Sequence, residues 1–258
     1  MLIVHACQMD IVWEDKPANF ARVAARLTGV DPVPGSLVVL PEMFATGFSM
    51  NARAVAEDIQ TGVTAGFLSG LARQYGCYVL GGVVTRTGDD RPRNEAVVFD
   101  PSGALAGRYA KMYPFTPGGE GAHYAAGDAP VVWEIGGLRV APLICYDLRF
   151  PEVFREATNR GAETFVVIAS WPVARAHHWD TLLRARAIEN QAYVVGVNRV
   201  GTDPVPLTYP GRSIIVDPSG AVLAEASYQE TVLSATLDPR FVASYRRELP
   251  FLADRRDF

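Results

Sequence analysis

The chain has 258 residues, 49% of them apolar, enough to bury a sizeable core. Its formal net charge of −4 disfavours nucleic acid or an anionic membrane surface as a partner, because both need a concentrated basic face. No apolar run is long enough to span a bilayer, and the opening MLIVHACQMD lacks the basic flank of a signal peptide.

In chain order, strand-like runs alternate with helical patterns. LIVHACQM reads as a strand. Residues 17–27 read as an amphipathic helix with Phe20, Val23, Ala24 and Leu27 on one face. SLVVLPE is a buried strand ended by Pro41. A helix over 64–75 follows, stopped by Gly76. CYVLGGVVTR is a strand, and NEAVVFD-PSG-ALAGRYA is a hairpin. The second half repeats the order. LRVAPLICYD is a strand, PEVFREATNR a helix opened by Pro151, and TFVVIAS a strand. HHWDTLLRARAIENQ is a long helix, AYVVGVNRV a strand, and RSIIVD-PSG-AVLAEA a second DPSG hairpin. The order predicts one α/β domain over 1–258, built as two similar halves packed sheet to sheet with helices outside.

The three cysteines, Cys7, Cys77 and Cys145, form no CxxC. That disfavours a disulfide framework and suits a reducing, cytoplasmic setting. The four histidines show no ligand spacing, so no metal is expected. Cys7 and Cys77 sit within apolar runs and read as core thiols. Cys145 ends its run and is followed by Tyr146, Asp147, Arg149 and Glu152, at a strand's carboxyl end turning into a helix start. Open α/β folds place reactive groups there, and a helix amino end favours thiolate. Glu42 also follows a buried strand, before a small aromatic loop, ATGF, that suits a pocket wall. Lys111 is one of only two lysines, with Lys16, among 24 lysines and arginines. A lysine kept beside aromatic residues suggests a point charge or tunable amine. Glu120 is either an exposed loop acid or the partner that orients Lys111.

Together PE at 41–42, the isolated Lys111 and CYDLRFPE at 145–152 resemble the three signatures of the nitrilase-related carbon–nitrogen hydrolases. The resemblance covers nearly the whole chain. It implies a four-layer α–β–β–α sandwich of two pseudo-symmetric halves and no cofactor. It places the family's catalytic residues on Glu42, Lys111 and Cys145, and a supporting glutamate on Glu120. EMFATGFSM, SWPVARAHHWDTLLRARAIENQ and GRSIIVDPSG are similar to the omega-amidase group, which releases ammonia from the distal amide of 2-oxoglutaramate and 2-oxosuccinamate.

The implied mechanism uses Glu42 as proton shuttle and Lys111 as a cation that lowers the Cys145 pKa. Lys111 also donates to the oxyanion, beside a backbone N–H expected at Tyr146. The small-molecule substrate's carboxylate calls for an arginine, expected at Arg175, whereas Arg149 reads as an ion-pair partner of Asp147 or Glu152. Phe115 and Trp171 are expected to line the pocket. His177 or His178 could form a Cys–His pair, although nothing requires it. The alternatives are another amidase of the superfamily, a non-catalytic binding protein on the same fold, and a redox-sensing thiol protein. The family commonly dimerises, which here points to a homodimer through 151–160 and the tail at 238–258.

Overall fold

In the computed structural model, residues 1–86, 88 and 91–256 are described. The first half runs β1 (Leu2–Gln8), α1 (Lys16–Val30), β2 (Leu37–Val39), the short α2 (Ala52–Val55), α3 (Val63–Tyr75), β3 (Tyr78–Thr85), β4 (Arg93–Phe99) and β5 (Leu105–Ala110). The one-turn α4 (Glu120–His123) leads into β6 (Trp133–Ile135), β7 (Leu138–Ile144), α5 (Pro151–Asn159), β8 (Thr164–Ala169), α6 (Ala176–Asn190) and β9 (Tyr193–Asn198). A small ribbon of β10 (Val200–Thr202) and β11 (Thr208–Pro210) follows. The chain continues through β12 (Ile214–Val216), β13 (Val222–Glu225), β14 (Thr231–Leu237) and α7 (Pro239–Glu248).

Among the described residues these strands form two six-stranded sheets and the ribbon. The first sheet is ordered β14-β1-β2-β3-β4-β5 and the second β13-β12-β9-β8-β7-β6. In each, three parallel strands (β1, β2, β3 and β7, β8, β9) continue into an antiparallel hairpin, and an antiparallel edge strand closes the other side. The sheets stack face to face with helices outside, giving the expected α–β–β–α sandwich of two similar halves. The two DPSG turns are built alike. Asp100 Oδ1 accepts from the N–H groups of Ser102 (2.8 Å) and Ala104 (3.1 Å), and Asp217 Oδ1 from those of Ser219 (2.8 Å) and Ala221 (3.0 Å). Gly103 (φ +81°) and Gly220 (φ +91°) take the left-handed position that follows each turn, and each hairpin is bulged just before it.

The central strands read as continuous apolar runs because both faces are covered. On β2, Leu37 and Val39 point into the core between the sheets. Val38 and the following Leu40 point outward beneath α1 and α3, with Val23, Leu27, Leu68 and Leu71. Cys7 and Cys77 lie in that outer core, and burial pushes their thiols up, to about 12 and about 11.

The expected helix over 17–27 begins at Lys16, where the Asp15 side chain caps the Ala18 N–H at 3.0 Å, and runs on to Val30. Gly76 stops α3 in the left-handed conformation, as expected. Among the described residues, no helix is long and apolar enough to cross a membrane, and no group of three or more His, Cys, Asp or Glu could hold a metal ion.

Candidate active site

The sandwich brings several strand ends to one rim. Glu42 lies just beyond β2, Lys111 directly after β5, Cys145 directly after β7 and Ser170 directly after β8. Asn94 is at the start of antiparallel β4, opposite Val84 near the carboxyl end of β3. Residues up to 128 apart in sequence therefore share one cluster.

The loop carrying Glu42 crosses β3 at Gly82, where an added Cβ would collide with the Met43 nitrogen and lie 2.6 Å from Glu42 Cα. Only glycine lets that backbone pass. Cys145 holds a left-handed φ of +49° at the start of the short turn Cys145–Arg149. A side-chain-bearing residue held there marks a position that its surroundings over-determine. The restraint is visible in Asp147, which is fully buried. Its Oδ2 accepts from Ile144 N–H (2.9 Å) and Tyr109 O–H (2.8 Å), and its Oδ1 from Tyr113 N–H (2.9 Å). These bonds tie the Cys145 turn to the segment that follows Lys111. Burial raises the Asp147 carboxyl to about 6 despite them.

Glu42, Lys111 and Glu120 are all buried. Lys111 Nζ donates to Glu42 Oε1 at 3.0 Å and to both oxygens of Glu120, at 3.1 and 2.8 Å. The buried-pair reading of Glu120 is therefore the one the geometry supports. Its Oε2 also accepts from Phe115 N–H. Burial opposes charge on the lysine, but the charges of Glu42 and then Glu120 outweigh it and hold the ammonium well above its ordinary pKa. It stays cationic.

Opposing influences act on the Cys145 thiol. Burial, and next the charge of Glu42, push its pKa well above the ordinary range; Lys111 and the Ser170 N–H pull the other way and lose. Burial and Glu42 thus favour the neutral thiol, while Lys111, as expected, favours the thiolate. The Ser170 N–H that faces this sulfur also donates to Glu42 Oε2 at 2.8 Å. That shared donor sets Glu42 Oε2 beside the thiol, while Oε1 is held by the lysine. The arrangement can move a proton from sulfur to carboxylate with a fixed cation alongside.

Cys145 lines a cavity that is partly open to solvent. Phe115 and Trp171 line it, as expected, and so do Tyr146 and Tyr209. Trp171 is fixed by its indole N–H to Arg175 O (2.7 Å) and its backbone N–H to Asn198 Oδ1 (2.7 Å). Arg175 lies over the Phe115 ring at 5.3 Å and faces the cavity. Arg149 corrects the sequence reading. It joins neither Asp147, which turns inward, nor Glu152; it lines the same cavity, 4.8 Å over Trp171 and 3.2 Å from His178 Nδ1. Neighbours in sequence here point to opposite sides of the turn. Burial and then the like charge of Arg175 lower the Arg149 pKa, so two cations face one space. Neither pairs with a carboxylate among the described residues. His177 contacts Thr181 and His178 contacts Arg149; neither is bonded to Cys145.

Two members of the cluster were missed in the sequence. Asn94 Nδ2 donates to Glu42 Oε1 (2.8 Å) and to Glu120 Oε1 (3.0 Å), and Ser170 supplies the shared N–H. The only signal for Asn94 was a polar side chain opening an apolar strand. Backbone donors such as that of Ser170 leave no mark in side-chain identity.

Known proteins match this chain along its length. It is 37% identical over 261 residues to the omega-amidase YafV of Escherichia coli (strain K12), covering 100% of this chain and 98% of that protein. It is 31% identical over 253 residues to a 2-oxoglutaramate amidase of Bacillus subtilis (strain 168), covering 98% and 97%. The crystal structure of XC1258 from Xanthomonas campestris, a CN-hydrolase superfamily protein with an arsenic adduct in its active site, superposes with a TM-score of 0.93. That match has 36% identity and covers 100% of this chain and 98% of that one. The sequence matches the carbon–nitrogen hydrolase family over residues 3–247, and the chain belongs to that family.

Proposed function

We propose that the protein is an omega-amidase, releasing ammonia from the terminal carboxamide of a small 2-oxo acid through a Cys145 thioester. The observation that carries this reading is the convergence of Glu42, Lys111 and the Cys145 thiol beside a cavity with two arginines that no carboxylate among the described residues pairs. The amidase relatives support the substrate class.

An amide is a weak electrophile, and a neutral thiol a weak nucleophile. Glu42 Oε2 takes the S–H proton as sulfur bonds to the carbonyl carbon. Lys111 Nζ and a backbone N–H, assigned to Tyr146, donate to the developing oxyanion. The C–N bond then breaks, and Glu42 returns the proton to the departing ammonia. Glu42 next takes a proton from water, whose oxygen attacks the thioester. The C–S bond breaks, Glu42 returns its proton to sulfur, and the acid loses its own proton to solvent and leaves as carboxylate.

In the same cavity, Arg149 and Arg175 bind the substrate's carboxylate and oxo oxygens, and Phe115 and Trp171 flank its chain. Removing a charge-assisted bond costs roughly 1.5–3 kcal/mol, so Arg149→Ala raises KM about 10- to 100-fold with a smaller change in kcat. Ammonia release from 2-oxoglutaramate, glutamine and an aliphatic amide tests the assignment. The 2-oxo acid amide is turned over with the highest kcat/KM. A preference for the aliphatic amide, or unchanged KM in the arginine variant, would reject it.

Residues 1–258 are read as one domain, because a shared core joins both sheets. Three free cysteines suit a reducing, cytoplasmic compartment. A homodimer through α5 and the tail is the reading carried over from the family, and exposed Phe241, Leu249 and Phe251 support its tail half. Residues 257–258 of that tail lie outside the described residues. Sedimentation as a monomer would remove the dimer.

A further inference from the structure

The buried cluster holds more negative than positive charge. Glu42 and Glu120 share one ammonium, and all three side chains are buried. Two carboxylates around a single cation repel each other unless other donors offset the excess. Asn94 is placed to do so. It is 1% exposed, and its two carboxamide protons match its two acceptors, Glu42 Oε1 at 2.8 Å and Glu120 Oε1 at 3.0 Å. Its orientation is dictated: turned over, its oxygen would face two carboxylate oxygens. Oδ1 has no hydrogen-bond partner among the described residues, so the side chain is held through its donors alone. Its backbone carbonyl accepts from Lys111 N–H at 2.9 Å, which ties the same residue to the lysine's strand end. Asn94 does not line the cavity.

We propose that Asn94 is a positioning residue, a neutral clamp that holds Glu42 and Glu120 around Lys111 and keeps Glu42 Oε2 directed at the Cys145 thiol. Both oxygens of Glu42 are then fixed by different donors. Oε1 is shared by Asn94 and Lys111, and Oε2 is held by Ser170 N–H, the donor that also faces the sulfur. Without the clamp, Glu42 and Glu120 move apart and the base no longer meets the thiol. The inference rests on Glu42 acting as base at Cys145; it does not depend on which amide is the substrate.

Charge decides the sharpest test. The ionisable groups around Asn94 are Glu42 and Glu120, which it bonds, and Lys111, which bonds both; Tyr124, just after α4, and Cys145 feel the same charges. Asn94→Asp replaces two donors with a third carboxylate, and the three cannot all ionise around one lysine. The cluster takes up a proton that occupies the base until higher pH. Iodoacetamide alkylation of Cys145, followed by peptide mass, reads this without any amide; Cys7 and Cys77 are too buried to compete. The acidic limb of the alkylation profile is expected to move up by at least about one pH unit in Asn94→Asp. In Asn94→Ala, kcat falls about 100-fold, the scale of a reacting group misplaced by about 1 Å, with KM nearly unchanged. Should that variant not fold, Asn94→Ser, which keeps one donor, shows a smaller fall of the same kind. An unmoved alkylation profile in Asn94→Asp, or a kcat near wild type in the folded Ala or Ser variant, overturns the clamp. Failure to release ammonia from 2-oxoglutaramate would instead overturn the substrate reading and leave the alkylation result standing.

Discussion

Cys145→Ala leaves no measurable ammonia release, while the protein stays folded. Alanine takes away the atom that forms the thioester, and no other described thiol can replace it, since Cys7 and Cys77 lie in the outer core beneath the helices. The substitution is mild for the fold. The turn is held by Asp147 through Ile144, Tyr109 and Tyr113, not by the sulfur. Thermal unfolding near the wild-type temperature, with activity lost, is the expected pair of results. Residual turnover above background would remove Cys145 from the mechanism.

Lys111→Ala is expected to be nearly as severe and, unlike the cysteine variant, to destabilise the protein. Loss of one oxyanion donor costs about 100- to 1000-fold in turnover. The change also strands two buried carboxylates, and breaking a buried ion pair by removing one partner costs roughly 3–5 kcal/mol. The two effects can be separated. Glu120→Gln added to Lys111→Met removes one stranded charge and should recover part of the melting temperature, but not turnover. Recovery of activity in that double variant would mean that the lysine acts only as a structural counter-ion.

The sandwich was legible because its signals are local. Apolar runs, Gly76 and two DPSG turns mark elements without knowledge of their neighbours. Strand β14 was not read. It is a half-exposed edge strand, and its pairing of Leu237 with Leu2 spans the chain. The three-residue strands β6, β10 and β11 are too short to carry a period. In the site, Glu42 and Cys145 were picked out by their positions at strand ends, Lys111 by its rarity and Glu120 as its partner, and all four by the family resemblance. Asn94 could not be, because its importance comes from β4 lying antiparallel beside β3, which sets an amide between two acids. Arg149 was misjudged because charged neighbours in sequence were taken for neighbours in space. The lysine's pull on the sulfur was read correctly, whereas the opposing burial and charge of Glu42 depend on packing that leaves no local mark in the sequence.

The most direct test is the mass of the protein during turnover. Rapid acid quench of enzyme with 2-oxoglutaramate, followed by digestion, should yield a Cys145 peptide heavier by the acyl group, lost on treatment with hydroxylamine. An adduct on another residue, or ammonia release with Cys145 never modified, would contradict the account.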